Sequence, residues 1–242
     1  MRPSTPELKP RLASYVRACE CDGQVILLNL HSGHYLGIGE SNARALAEHV
    51  NDWPTNFANQ DSGTSAGDIR VLIQHLMSLG LLTETSKVLP PLPRITEASK
   101  TMGINEESID GRGAALLFPR FLQSAAVSAF WLRFRTLQGI ATSVAHRRER
   151  REHIAAPPSL SAMCRGTSNY VRLRPLVFTA REKCLFDSLA LLSFLAADGL
   201  FPQWVIGVKT KPFGAHAWVQ TAETVLNDQH EYVRRFKPIL VA

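Results

Sequence analysis

Three β-rich runs open the chain, Tyr15 to Cys21, Gln24 to Leu30 and Tyr35 to Ile38, separated by Asp22-Gly23 and by a turn around Ser32-Gly33. Asp-Gly supplies the positive φ angles that a two-residue hairpin turn requires, so the pattern predicts three antiparallel strands. The period then changes. Ala43, Leu46, Ala47 and Val50 recur at helical spacing behind Ser41, a predicted N-cap. A second helix, starting near Asp68, places Val71, Leu72, His75, Leu76 and Leu79 on one face before Gly80. Both helices are expected to cover one side of the sheet. The polar stretch from Asn51 to Gly67 between them suits an outer loop, and Leu81-Leu82-Thr83 closes the unit.

From Lys87 the hydrophobic period disappears into Val-Leu-Pro-Pro-Leu-Pro-Arg, a Pro-stiffened linker by composition. This divides the chain into residues 1–86, a linker over 87–113, and a second domain over 114–242. A helix of about residues 114 to 138 is predicted from Leu116, Leu117, Phe121, Leu122, Phe130, Leu132 and Leu137, with Pro119 interrupting or starting it. After Pro157-Pro158 a short helical stretch leads to Arg172-Leu173-Arg174-Pro175. Next comes an apolar helix from Cys184 to Ala197, ending at Gly199, and then three short β-rich runs: Trp204 to Val208, Gly214 to Val219 and Thr224 to Leu226. The fold class expected is α+β.

Composition narrows the setting. At 242 residues the chain can bury two small cores, and no apolar run reaches the length that spans a bilayer. With no signal-like N-terminus, a cytoplasmic protein is expected. Four cysteines do not make a disulfide framework, so each is judged by its neighbours. The net charge of +6 includes Arg147, Arg148, Arg150 and Arg151, interleaved with Glu149 and Glu152; a solvated helix end accounts for that cluster.

Candidate chemistry concentrates in the last third. A helix N-terminus favours negative charge, so Cys184 at a helix start is a credible nucleophile. His216 stands between small residues on a β run, and Asp228 ends the next run, within reach of the imidazole. Thiolate, base and orienting carboxylate are the parts of a nucleophilic triad. The same residue types also fit a buried helix cysteine and a half-exposed strand histidine. Asp187, one turn after Cys184, would raise the thiol's pKa, which favours Asp228 as the acid.

The run Lys-Cys184-Leu-Phe-Asp-Ser-Leu-Ala-Leu-Leu, then Gly-Ala-His216-Ala-Trp-Val and Asn-Asp228, resembles the transglutaminase-like (papain-like) cysteine-protease domain of lasso peptide B proteins. The resemblance implies a leader peptidase with Cys184 as nucleophile, His216 as general base and acid, and Asp228 as orienting carboxylate. It also implies a precursor peptide as substrate and an ATP-using, asparagine-synthetase-like cyclase as partner, in a bacterial cytoplasm. No cofactor or metal is expected in this chain. Gln24-Val-Ile-Leu-Leu-Asn-Leu with Gly33-His-Tyr35-Leu-Gly-Ile is similar to the winged-helix-like peptide-recognition domain of ribosomal-peptide modification systems. There the leader adds as a strand beside the third strand and packs on the last helix, which here implicates His34, Tyr35, Leu36, Gly37 and Ile38, with Arg70 and Gln74 on the helix.

The remaining candidates have plainer readings. Cys19, Cys21, His31 and His34 invite a metal, but without a CxxC pair they read as packing thiols and surface histidines. Cys164 is placed in a loop, His230, a rival base, in a turn or strand end, and Trp218 in the core or along the substrate channel. No GxxxxGK[ST] loop is present. Two other functions stay open: a thiol amidase or acyltransferase on a peptide substrate, and a non-enzymatic winged-helix DNA binder. The second lacks a basic recognition-helix face, and neither nucleic acid nor membrane is expected as a partner.

Overall fold

The computed structural model describes residues 9–54, 65–84, 95–103, 111–154, 159–178 and 183–242. The chain divides into two compact units, Met1–Pro91 and Leu92–Ala242.

In the first unit β1 (Arg11–Leu12) precedes the sheet, which consists of β2 (Val16–Cys21), β3 (Gln24–Asn29) and β4 (Tyr35–Ile38), all antiparallel in the order β2-β3-β4. Asp22 at φ 50° and Gly23 at φ 80° make the tight turn, with Cys21 paired to Gln24. Helix α1 (Glu40–Ala47) begins one residue before the expected cap: Gly39 is the extended N-cap, and Ser41 lies inside the first turn. The chain passes from β4 into the helix through Gly39, which takes the cap position and has no side chain with which to cap it. Helix α2 (Ala66–Ser78) is capped by Ser65, whose hydroxyl accepts from the Asp68 N–H at 3.3 Å. Its inward face is Ile69, Leu72, Ile73 and Leu76, while Val71 and Leu79 of the expected face are exposed. β5 (Leu82–Thr83) pairs with β1, a strand too short for any period to announce. Residues 55–64 of the expected outer loop lie outside the described residues, but Trp53 at its start is buried and donates to the Ala43 carbonyl at 2.9 Å.

The second unit starts inside the stretch expected to be linker. β6 (Lys100–Thr101) pairs in parallel with Thr224–Val225, and Ala98 and Met102 are buried. Residues 85–94 and 104–110 lie outside the described residues. Helix α3 (Gly111–Phe134) runs through Pro119 without a break. Proline removes one main-chain hydrogen bond, and the fully buried Phe121 just beyond it anchors the helix against Tyr170 and Phe178. Because α3 is apolar on all sides, its sequence hides its inner face. Leu116, Leu122 and Phe130 are exposed, whereas Ser124 and Ser128 are buried, each hydroxyl donating back to a carbonyl of the previous turn. Its span Ala115–Phe134 is long and apolar enough to cross a membrane by length and composition, which corrects the expectation of no such run; Arg120 and Arg133 within it disguise the length. Arg120 pairs with Asp198 at 2.7 Å within this unit.

Helix α4 (Leu137–Ile154) ends in the arginine cluster, and α5 (Leu160–Leu173) is capped by Ser159. That early start makes Cys164 helical and not a loop residue. α6 (Cys184–Ala196) packs against α3, α5 and the sheet. The sheet is built from β7 (Gln203–Thr210), β8 (Phe213–Thr221), β9 (Thr224–Val225) and, after the short α7 (His230–Val233), β10 (Lys237–Val241), in the order β10-β7-β8-β9-β6. Trp204, fully buried on β7, donates to the Ser188 hydroxyl of α6 at 3.0 Å and ties helix to sheet.

Gly207 on β7 lies opposite His216, and a Cβ there would stand 2.9 Å from Trp218 and from Phe236. Gly207→Ala is therefore expected to destabilise the fold by about 1–3 kcal/mol through overpacking, read as a drop in urea midpoint with an unchanged slope.

Candidate active site

Cys184 is the first residue of α6, behind Lys183, which offers no side-chain cap. The first-turn N–H groups have no intrahelical partner, so the thiol sits where partial positive charge gathers. His216 lies on β8 beyond the point where β9 stops pairing, since the β8–β9 ladder covers only Gln220 and Thr221. α6 can therefore bring Cys184 to the open side of β8. The side chain of His216 is 12 % exposed, with Phe236 at 5.3 Å, Tyr232 edge-on at 5.1 Å and Trp218 stacked at 6.2 Å.

His216 Nε2 lies 2.7 Å from Asp228 Oδ2, and Asp228 Oδ1 accepts the Gln229 N–H at 2.7 Å. With Nε2 committed to the carboxylate, Nδ1 is the nitrogen left for Cys184. Burial pushes the Cys184 thiol up, but hydrogen bonding with His216 and with the N–H groups of Ala217 and Leu185 outweighs it, and the net shift is downward. Burial likewise pushes His216 down; its bonds to Asp228 and Cys184 reverse that and raise it to about 9. Both shifts run in the direction that favours a thiolate beside an imidazolium.

Asp187 is held elsewhere. Tyr170, Arg174 and Asn227 surround its carboxylate, so it faces the core and not His216. The Nδ1 of His230 lies 2.9 Å from the Thr101 hydroxyl, which ties it to β6. Trp218 is a core residue that also walls His216, its indole N–H donating to Gln220 Oε1 at 3.0 Å. Cys164 is raised by burial, as a packing thiol is.

Of the residues implicated in leader capture, Tyr35, Leu36, Gly37 and Ile38 form β4, the edge strand of its sheet, and His34 is exposed just before it. Ile38 is buried and Leu36 packs on the same core, so these two face inward; they offer the edge only their main chain. Arg70 and Gln74 are exposed one turn apart on α2. His31 stacks on Tyr15 with ring centroids 4.1 Å apart. Among the described residues no group of three His, Cys, Asp or Glu side chains is placed to hold a metal ion.

Sequence reasoning missed the aromatic wall of Tyr232 and Phe236 and the polar partners of Asp187. Asn227, adjacent to Asp228, was visible in the motif; Tyr170 and Arg174 come from a different part of the chain and carry no local signal.

Comparison with curated proteins and with solved structures gives no match. Among protein families, the transglutaminase-like superfamily matches residues 125–241, from the middle of α3 to the end of β10. Members of that superfamily are typically cysteine-based enzymes, which suits cysteine-protease or acyltransferase-type activity. The segment that carries Cys184, His216 and Asp228 is a transglutaminase-like superfamily domain.

Proposed function

We propose that this chain is the leader peptidase of a bacterial lasso peptide pathway, acting in the cytoplasm: its first unit captures the leader of a ribosomally made precursor, and its second cuts the leader away. The observation that carries the reading is the 2.7 Å His216–Asp228 contact beside a helix-start cysteine whose thiol is held down by that histidine. The Cys184 thiolate attacks the scissile carbonyl, and the first-turn N–H groups of α6 are the donors at hand for the oxyanion. The His216 imidazolium gives its proton to the leaving amine, which becomes the new core N-terminus. Neutral His216 then takes a proton from water, hydroxide resolves the thioester, and the leader departs as an acid.

The winged-helix-like reading of the first unit rests on its three-stranded sheet and two helices, with β4 as the edge to which a leader strand would add. Joining capture and cutting in one chain raises the local concentration of the scissile bond, so a weak active-site affinity suffices. ATP is needed only by the partner, an asparagine-synthetase-like cyclase that joins the freed amine to an acidic side chain.

The test is incubation of the full chain, with and without that cyclase, with the precursor peptide encoded beside its gene, followed by mass spectrometry. Without the cyclase, two fragments whose masses sum to precursor plus water are expected; with the cyclase and ATP the cyclised core is lighter by one water. An uncut precursor, or a fragment carrying a transferred amine, overturns the peptidase reading, and the second outcome assigns an acyltransferase.

A further inference from the structure

Asp187 is 2 % exposed, one helical turn beyond Cys184. Burying a carboxylate is costly unless it is paired and its lone pairs are filled. Both conditions are met from separate parts of the fold. The Tyr170 hydroxyl lies 2.9 Å from Oδ1, Arg174 Nη1 donates to Oδ2 at 3.1 Å, and Asn227 Nδ2 donates to Oδ2 at 3.2 Å. The other end of the Asn227 amide accepts the Val219 N–H of β8 at 2.8 Å. That orientation is the only one in which both contacts attract.

The placement links the three site residues. β9 is two residues long, and the ladder is prolonged only by the Leu226 N–H donating to the Val219 carbonyl at 2.9 Å. The Asn227 side chain then satisfies the Val219 N–H in place of a main-chain partner. Asn227 immediately precedes Asp228, and Val219 lies three residues beyond His216. Core packing alone does not call for such a cluster, because well-packed apolar residues in place of a buried ion pair are commonly neutral or stabilising.

We propose that Asp187 and Asn227 are positioning residues that lock the helix start of Cys184, the strand of His216 and the loop of Asp228 into the geometry in which the thiolate–imidazolium pair forms. This rests on the roles proposed for those three residues. Asp187 does not compete with Asp228 for the histidine; it acts through Asn227, and Arg174 offsets its charge so that the nearby thiolate is not repelled.

The test is site-resolved alkylation of Cys184 by iodoacetamide across pH in the full chain, read by peptide mass spectrometry, which needs no peptide substrate. Wild type is expected to show a reactive thiolate well below the range of a free thiol. Asn227→Ala is expected to move that acid limb up by about one pH unit, an alkylation slower by about fivefold at the wild-type midpoint and about tenfold well below it. Asn227→Asp keeps the shape but turns a carboxylate toward Asp187, so its limb moves at least as far. With a precursor peptide, kcat falls while KM stays within about twofold, because leader capture lies in the other unit. Should Asn227→Ala fail to fold, Tyr170→Phe, which deletes one hydroxyl and keeps the ring, is expected to shift the limb in the same direction. Variant profiles superimposable on wild type, whatever their melting temperatures, overturn the positioning role. An ordinary thiol profile in wild type instead overturns the proposed ion pair itself.

Discussion

Cys184→Ala is expected to abolish precursor cleavage, with a loss on the order of 10⁴-fold or more, as removal of a triad nucleophile does elsewhere. Alanine is the best helix former, and Cys184 is only the first residue of α6, whose hold on the unit comes from Leu189, Leu191, Phe194 and Leu195 further along. The variant should therefore melt close to wild type. It should also bind the leader as wild type does, because the strand edge proposed to capture it belongs to Met1–Pro91. The useful experiment measures both on one preparation: anisotropy of a labelled leader, and cleavage by mass spectrometry. Unchanged binding with no cleavage is the expected pair of results. Cleavage retained at even about a hundredth of the wild-type rate would remove Cys184 from its role, since Cys19 and Cys21 belong to the other unit and Cys164 is held up by burial on α5. Cys184→Ser is expected to be nearly as inactive, because His216 cannot bring an alkoxide within the range where it stabilises a thiolate.

Local signals carried most of the strand pattern and the parts of the site that lie within a few residues of one another. Asp22-Gly23 required positive φ, and the hairpin formed with Cys21 opposite Gln24. Cys184 was expected at a helix start, and α6 begins there. The placement of Asp228 just past a β run next to that of His216 corresponds to a 2.7 Å contact. What period reasoning could not supply was direction and depth. On α2 and α3 the apolar residues wrap far enough around that several faces score alike, and tertiary packing chose Ile69 over Val71 and Phe121 over Leu116. Two-residue strands such as β1, β5 and β6 have no period at all; their pairing comes from partners tens of residues away or more. The linker expected over 87–113 failed for that reason, since Lys100–Thr101 is strand only because Thr224–Val225 is there to receive it.

The partners of Asp187 were hidden in the same way. A carboxylate one turn from a nucleophile could be judged unfavourable from charge alone, and that argument discarded it as the triad acid. It could not say what such a carboxylate was for. Only the fold brings Tyr170, Arg174 and Asn227 to one point, and only then does a charge that looked adverse become a junction between elements. Asn227 shows the limit well. It stood in the motif beside Asp228, but its side chain is explained by Val219, eight residues back on another strand.

Asp228→Ala is expected to cost on the order of 10³- to 10⁴-fold in kcat, the scale set by loss of the orienting acid in a triad, and to change the pH dependence in a way no purely structural variant does. In the proposed mechanism the productive form of the wild type carries a thiolate and an imidazolium. Activity should rise through the lowered Cys184 pKa and fall as His216 loses its proton near 9. Burial acts on His216 in the opposite sense, and only its bonds to Asp228 and Cys184 hold the proton on. Without the carboxylate the burial effect remains, so the alkaline limb should move down from about 9 toward the ordinary histidine range of roughly 6.5. The acid limb should move up, because a thiol facing a neutral imidazole has lost its counter-charge. The bell narrows from both sides, and its summit falls. Asp228→Asn keeps an acceptor for Nε2 without the charge, so it should lie between the two, with the alkaline limb intermediate and part of the rate restored. A kcat/KM profile of Asp228→Ala with both limbs where wild type has them would mean that the 2.7 Å contact holds the ring but does not hold its proton.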